Sequence, residues 1–202
     1  GSLRVGSDSA LGGGSLLLNS GVISSVEAGT VRTIANNIIS GGDVKFGSAV
    51  NSSTLSLTGS VNLTGNRTWT VDSNVVLAQG LTQSGTTAYG FTKAGSAALT
   101  FNGPSSYTGP TQVSAGSLVL GSAASVASSE IIVLNGAALD VSAVAGGLSL
   151  SAGQRLTMSG TSSVYGNVNV GSGATLMTSG TTGFAKLTTG ALSLDGAMQL
   201  RI

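Results

Sequence analysis

The chain has 202 residues, of which 41% are apolar, 4% aromatic and only 7% charged, and its formal net charge is +1. A compact soluble domain usually carries about 25% charged residues, so this surface must consist mainly of Ser, Thr, Asn and Gly. The eight basic residues are spread thinly, which argues against a nucleic-acid partner because a phosphate backbone needs several cations on one face.

The chain begins on an alternating strand, Ser2 to Val5. Nothing at this end resembles a signal peptide, so we expect any export signal to lie outside this segment. Gly1 to Gly6 is similar to Gly116 to Gly121, and the similarity between residues 1–19 and 116–135 indicates an internal repeat. A shorter period of about 20 residues is expected beneath it, as in stacked solenoid architectures.

Glycine and asparagine mark the sharpest predicted bends, because both residues tolerate positive φ. The best corner candidates are Asn19-Ser20-Gly21, Asn102-Gly103 and Asn135-Gly136. Asn-Gly also forms two-residue hairpin turns, which would give an antiparallel β-sandwich. The sequence pattern leaves both architectures open.

Apolar residues recur on alternate positions through most of the chain, which predicts short half-buried strands. Each strand is too short to bury its apolar side alone, so neighbouring coils must stack and share a core. The predicted inward pairs are Leu55 and Leu57, Val61 and Leu63, Trp69 and Val71, Val75 and Leu77, Leu99 and Phe101, Leu118 and Leu120, Leu139 and Val141, Leu148 and Leu150, Leu156 and Met158, Val168 and Val170, and Leu192 and Leu194, with Met198, Leu200 and Ile202 at the end.

The segment from Phe91 to Gly121 is the most informative part of the sequence. It alternates apolar with small polar residues, and Gly or Pro interrupts it every few positions, which predicts strand, corner and strand. It resembles the autotransporter-associated β-strand repeat, on these residues: Thr92, Lys93, Gly95, Leu99, Thr100, Tyr107, Thr108, Gly109, Thr111, Val113, Ala115, Gly116, Leu118 and Gly121. The resemblance implies a right-handed parallel β-helix in a bacterial surface or secreted protein.

Two further segments, Arg32 to Gly47 and Ala152 to Leu176, resemble stretches of the same long autotransporter-type passengers. We therefore expect residues 1–202 to form a single segment of a single-stranded parallel β-helix. At about 20 residues per coil the chain would make about ten coils, and strands about 4.8 Å apart would give a rod about 45 Å long.

The apolar region from Ile131 to Leu150 is long enough to raise the question of a membrane span. Asn135 and Asp140 interrupt it, and its leucines and valines alternate with polar or small residues. Two strands explain this pattern better, so we expect no membrane insertion in this segment.

The sequence lacks two residue types on which many catalytic and metal sites depend. There is no histidine or cysteine, which removes Ser-His triads, thiol chemistry and the usual zinc ligands. Gly41-Gly42-Asp43 is similar to the calcium-binding nonapeptide of β-rolls, but that motif must recur to work, so a turn with a capping aspartate is favoured. We expect no cofactor, metal or catalytic residue; a polysaccharide-cleaving enzyme would depend on acids such as Asp43 or Asp140.

The expected function is structural: a stalk, spacer or fibre subunit on the exterior of a bacterial outer membrane. Both termini still alternate, so we expect coils to stack head to tail, either on flanking coils of a parent chain or on a second copy. The alternative is an adhesin for cell-surface glycan or a neighbouring cell. Its aromatic candidates are Trp69, Tyr89, Tyr107 and Tyr165, although Trp69 is expected in the core and Tyr107 over a corner.

Overall fold

The computed structural model describes residues 1–47, 53–179, 186–188 and 190–195, and these contain strands and turns without helices. The strands lie on three faces, which the chain visits in the same order from coil to coil except where a coil has no strand on one face. The first face is a nine-stranded sheet of β1(Ser2–Val5), β3(Val22–Ser25), β6(Val44–Phe46), β9(Arg67–Val71), β12(Phe91–Ala94), β14(Thr111–Val113), β16(Glu130–Val133), β19(Arg155–Ser159) and β22(Thr175–Ser179).

The second face is an eight-stranded sheet of β4(Val31–Ile34), β7(Thr54–Leu57), β10(Val75–Leu77), β13(Ala98–Phe101), β15(Ser117–Leu120), β17(Ala138–Asp140), β20(Ser163–Tyr165) and β23(Lys186–Thr188). The third face has four strands, β2(Leu16–Leu18), β5(Ile38–Ser40), β8(Val61–Leu63) and β11(Leu81–Gln83), and later three, β18(Leu148–Leu150), β21(Val168–Val170) and β24(Leu192–Leu194). A parallel bridge between Ser105 and Val126 lies between these two groups in the chain.

Every strand pair that the structure describes is parallel, so the protein is a β-solenoid and the antiparallel sandwich is wrong. Ser2 pairs with Val22 and Glu130 pairs with Arg155, which are separations of 20 and 25 residues. Because many coils are longer than the expected 20 residues, the nine-stranded sheet makes about eight turns rather than ten.

The core is a set of in-register rows that run along the axis. In one row Leu55 pairs with Val75, Val75 with Leu99, Leu99 with Leu118, and Leu118 with Leu139. All five side chains are completely buried. Such a row stabilises the fold because each coil covers the apolar edge of the previous one.

The predicted inward pairs from Leu55 to Val170 are buried, as expected. Leu192 and Leu194 are the exception, with exposures of 42% and 39%. They lie in β24, whose one described neighbour is β21, so a single strand covers them. Met198, Leu200 and Ile202 lie outside the described residues.

Two other expectations differ from the structure in detail. The region from Ile131 to Leu150 contributes to three strands, β16, β17 and β18, rather than two. The two similar segments at Ser2 and Ser117 lie in different sheets, β1 in the nine-stranded and β15 in the eight-stranded sheet. Their similarity is therefore not a shared position in the coil, and the duplication stays a prediction.

Candidate functional site

Two polar residues occupy inward strand positions in the repeat-like segment, one in β12 and one in β14. In the nine-stranded sheet Lys93 pairs with Trp69 on one side and Val113 on the other, and Thr111 pairs with Phe91. Both polar side chains are fully buried. A buried polar group must find partners inside the protein. We call Lys93, Thr111 and the groups that they contact the polar cluster.

The Lys93 ammonium group joins two consecutive coils. Nζ donates to the carbonyl oxygen of Gly95 at 2.6 Å and to that of Ala115 at 2.9 Å. Gly116 follows Ala115 with φ of +62°, and a Cβ there would lie 2.6 Å from Lys93 Nζ. Glycine is therefore required at position 116 for two reasons: it adopts the left-handed backbone conformation, and it leaves the space that the lysine side chain occupies.

The charge of Lys93 is costly in this position. Burial lowers its pKa from 10.5 to about 8, and the nearby Asp72 carboxylate opposes part of that decrease. Asp72 itself is paired with Lys45 at 2.6 Å, and the hydrogen bond from Lys45 is the main reason that the pKa of Asp72 is lowered. The amine remains useful when neutral because its two donors still match the two carbonyl groups.

The sequence suggests that Tyr107 packs over a corner, but the structure places its side chain in the buried interior. Its hydroxyl lies 2.6 Å from Thr111 Oγ1, and Thr111 Oγ1 is hydrogen-bonded in turn to Ser128 Oγ. Burial raises the pKa of Tyr107 to about 12. The three hydroxyl groups satisfy one another, which lets them lie inside the core.

An aromatic column runs through the middle of the solenoid. Trp69 lies between Phe46 and Phe91, with ring-centroid separations of 4.7 and 5.5 Å, and its indole N–H donates to Ser40 Oγ at 3.1 Å. The core assignment of Trp69 is confirmed, and neither Trp69 nor Tyr107 can serve as a sugar-binding platform.

The remaining candidate aromatics differ in exposure. Tyr89 is half-buried and packs against the core, whereas Tyr165 is 38% exposed.

A recurring contact joins the corners of successive coils. In each case an Asn or Asp side-chain oxygen accepts a hydrogen bond of 2.8–3.1 Å from a backbone N–H in the next coil, 23–26 residues later. We call this contact a corner clasp. The acceptors and donors are Asp8 and Thr33, Asn37 and Ser60, Asp43 and Thr68, Asn66 and Gly90, Asn74 and Ala98, Asn135 and Thr161, and Asn167 and Ala191.

The two acids named for a polysaccharide-cleaving enzyme both accept hydrogen bonds from the protein's own chain. Asp43 forms a clasp with Thr68, and Asp140 accepts from the amide and hydroxyl groups of Ser142. The contact described for Asp43 thus joins two coils, and the capping of its own turn stays a prediction. Within the part of the chain that the structure describes, no three His, Cys, Asp or Glu residues lie together as a metal site.

A shallow groove of about 490 Å³ runs beside the nine-stranded sheet. Its lining includes Asp43, Asn66 and Arg67. The oxygens of Asp43 and Asn66 are held in clasps, and the Arg67 guanidinium donates to Ser40 O and Asn66 O. The charged groups of the groove therefore serve the protein's own chain.

No helix among the described residues has the length and apolar character needed to cross a membrane.

Comparison with known families identifies the segment that holds the polar cluster. Residues 91–120 match the family model described as passenger-associated-transport-repeat, and these residues include β12 to β15 with Lys93, Tyr107 and Thr111. Searches of curated proteins and of solved structures gave no match. The chain therefore contains a passenger-associated transport repeat within a parallel β-solenoid, as expected of an autotransporter passenger repeat protein.

Proposed function

We propose that this chain is a load-bearing stalk, spacer or fibre segment, without catalytic activity, in a protein displayed on the exterior of a bacterial outer membrane. The passenger-associated repeat supports that location. The neutral surface, with 7% charged residues, supports a passive role.

The continuity of the coil-to-coil contacts is the observation that carries this proposal. Nine strands pair in unbroken order on one face and eight on another. The hydrogen bonds between parallel strands run along the solenoid axis, so tension along the axis is shared by two or three ladders in each coil. The corner clasps add a bond where the chain leaves the ladders.

The proposal predicts that the segment sets a distance. With eight strand spacings of about 4.8 Å, it spans about 40 Å. We would place a fluorescent tag before the segment and an outer-membrane anchor after it, then measure the tag's height above the membrane by energy transfer to a membrane dye. Compared with an anchor that lacks the segment, the height should increase by about 40 Å. Protease accessibility of the tag shows that the protein is displayed. If a displayed tag has the same height with and without the segment, the spacer role is refuted.

The partner that we propose is another coil of the same type, supplied by flanking chain or by a second copy. Among the described residues β1 pairs with β3 alone, so its other edge presents main-chain donors and acceptors that a parallel strand can satisfy. Concentration-dependent rods in negative-stain images would support a second copy as the partner. Rods of constant length over a wide concentration range would refute it.

Recognition of a glycan stays a prediction, and Tyr165 is its most exposed aromatic candidate. Loss of glycan-array binding in Tyr165→Ala would support an adhesin, provided that the amide I spectrum is unchanged.

A further inference from the structure

We propose that Asn135-Gly136 is a site of spontaneous covalent modification, at which the structure promotes conversion of the asparagine to a carboxylate. The backbone nitrogen of Gly136 loses its proton to solvent base and attacks Cγ of Asn135. The new N–Cγ bond closes a succinimide ring while the Cγ–Nδ2 bond breaks, and the amide leaves as ammonia after taking a proton from water. Water then opens the ring to aspartyl or isoaspartyl products.

The nucleophile lies in an open corner between β16 and β17. Asn135 and Gly136 are both exposed, and Gly136 has φ of +76° with no atom within 4 Å of the position that a Cβ would take. Gly136 is therefore open to solvent and carries no side chain that would screen its backbone nitrogen. Solvent base can reach it.

The electrophile is polarised by the next coil. Asn135 Oδ1 accepts one hydrogen bond from the Thr161 backbone N–H and another from the Thr161 hydroxyl, both at 2.8 Å. Attack on Cγ places negative charge on this same oxygen. Two donors held at hydrogen-bond distance from a developing oxyanion stabilise the transition state, by the principle that operates in oxyanion holes.

The second Asn-Gly pair provides an internal comparison. Gly103 is buried, and a Cβ on it would lie 2.7 Å from the backbone carbon of Gln79. Main-chain atoms of the preceding coil therefore lie against Gly103, and solvent base reaches this buried residue less readily. The same dipeptide thus occurs once in an open, polarised corner and once in a packed one.

The two products have different consequences for the corner. An aspartate at position 135 can still accept from Thr161, as Asp8 and Asp43 do in their own clasps. An isoaspartyl linkage adds a carbon to the main chain between β16 and β17 and so disturbs the register of these strands with their neighbours in the two sheets. Either product cancels the formal net charge of +1.

The experiment follows both asparagines in one sample. The purified folded protein is kept in mildly alkaline buffer, and peptide mapping by mass spectrometry measures conversion at Asn135 and Asn102 over time. We expect conversion at Asn135 to be at least about tenfold faster, since the fold blocks attack at the packed site. In urea-unfolded protein the two rates should become similar. Equal rates in the folded protein, or faster conversion at Asn102, would overturn the proposal.

Two variants separate polarisation from mere exposure. Thr161→Val keeps the backbone donor but removes the hydroxyl, and it should slow conversion at Asn135 about fivefold, the effect of one hydrogen bond on a solvated oxyanion. Thr161→Ser keeps both donors and should convert at the wild-type rate. If Thr161→Val converts faster while its amide I spectrum matches that of Thr161→Ser, the clasp protects the asparagine and the inference is wrong.

Discussion

Replacing Lys93 with methionine tests whether one buried amine controls the stability of this solenoid in alkaline solution. The folded state holds the pKa of Lys93 at about 8, whereas the ordinary value is 10.5. Between these two values the unfolded chain binds more protons than the folded one, so the free energy of unfolding must rise as the pH increases. At about 1.4 kcal/mol for each unit of pKa, we expect this rise to be on the order of 3 kcal/mol.

The assay is urea unfolding at a series of pH values from neutral to the onset of tyrosine ionisation. The wild-type midpoint should increase over this range, and the midpoint of Lys93→Met should not. The variant should also be less stable overall, because the carbonyl groups of Gly95 and Ala115 lose a buried donor, at about 1–3 kcal/mol each. Lys186→Met, which changes an exposed lysine, should retain the wild-type pH dependence. A Lys93→Met profile parallel to that of the wild type would refute the reasoning.

Three other substitutions test the core and the corners. Burial raises the pKa of Tyr107 to about 12, so wild-type stability should fall as the pH rises above the tyrosine's ordinary value of 10.0, and Tyr107→Phe should remove that fall in the same urea assay. Trp69→Ala should lower the free energy of unfolding by about 3–5 kcal/mol and Trp69→Phe by much less; a loss below about 1 kcal/mol in Trp69→Ala would contradict the aromatic column. Asn74→Ala should cost about 1 kcal/mol and speed hydrogen exchange at the Ala98 amide, whereas Asn74→Asp keeps the acceptor and should exchange at the wild-type rate.

The inward rows could be predicted because a strand with one buried side repeats every two residues. Leu99 and Phe101, or Leu118 and Leu120, show this period clearly, and their burial is confirmed. The direction of neighbouring strands could not be predicted in the same way. Parallel and antiparallel strands have the same period, and only the pairing of residues about one coil apart separates the solenoid from the sandwich.

The polar cluster was harder to predict because lysine usually lies on the surface. Lys93 is nevertheless in phase with the buried Phe91, two residues earlier, and the buried Thr111 is likewise in phase with Val113. That phase is the signal in the sequence. What the sequence lacks is the position of Ala115, whose carbonyl group makes burial of the amine possible.

The corner clasps also leave a trace in the sequence, as Asn or Asp about one coil before a turn. Asn66 and Asn74 are such residues, but coil lengths of 19 to 25 residues hide the regularity. Without the register, no spacing identifies which amide each side chain meets. The corner clasps can therefore be identified only once the register of neighbouring coils is known.

Each corner clasp takes its acceptor from a side chain but its donor from the main chain, which every residue except proline provides. The coil that donates the backbone N–H can thus change its sequence at that point without losing the hydrogen bond. The coil that supplies the acceptor must keep an Asn or Asp at one position. This asymmetry makes coils interchangeable units: whole turns could be exchanged, shuffled or grafted between solenoids of this kind with few matching demands at the seam.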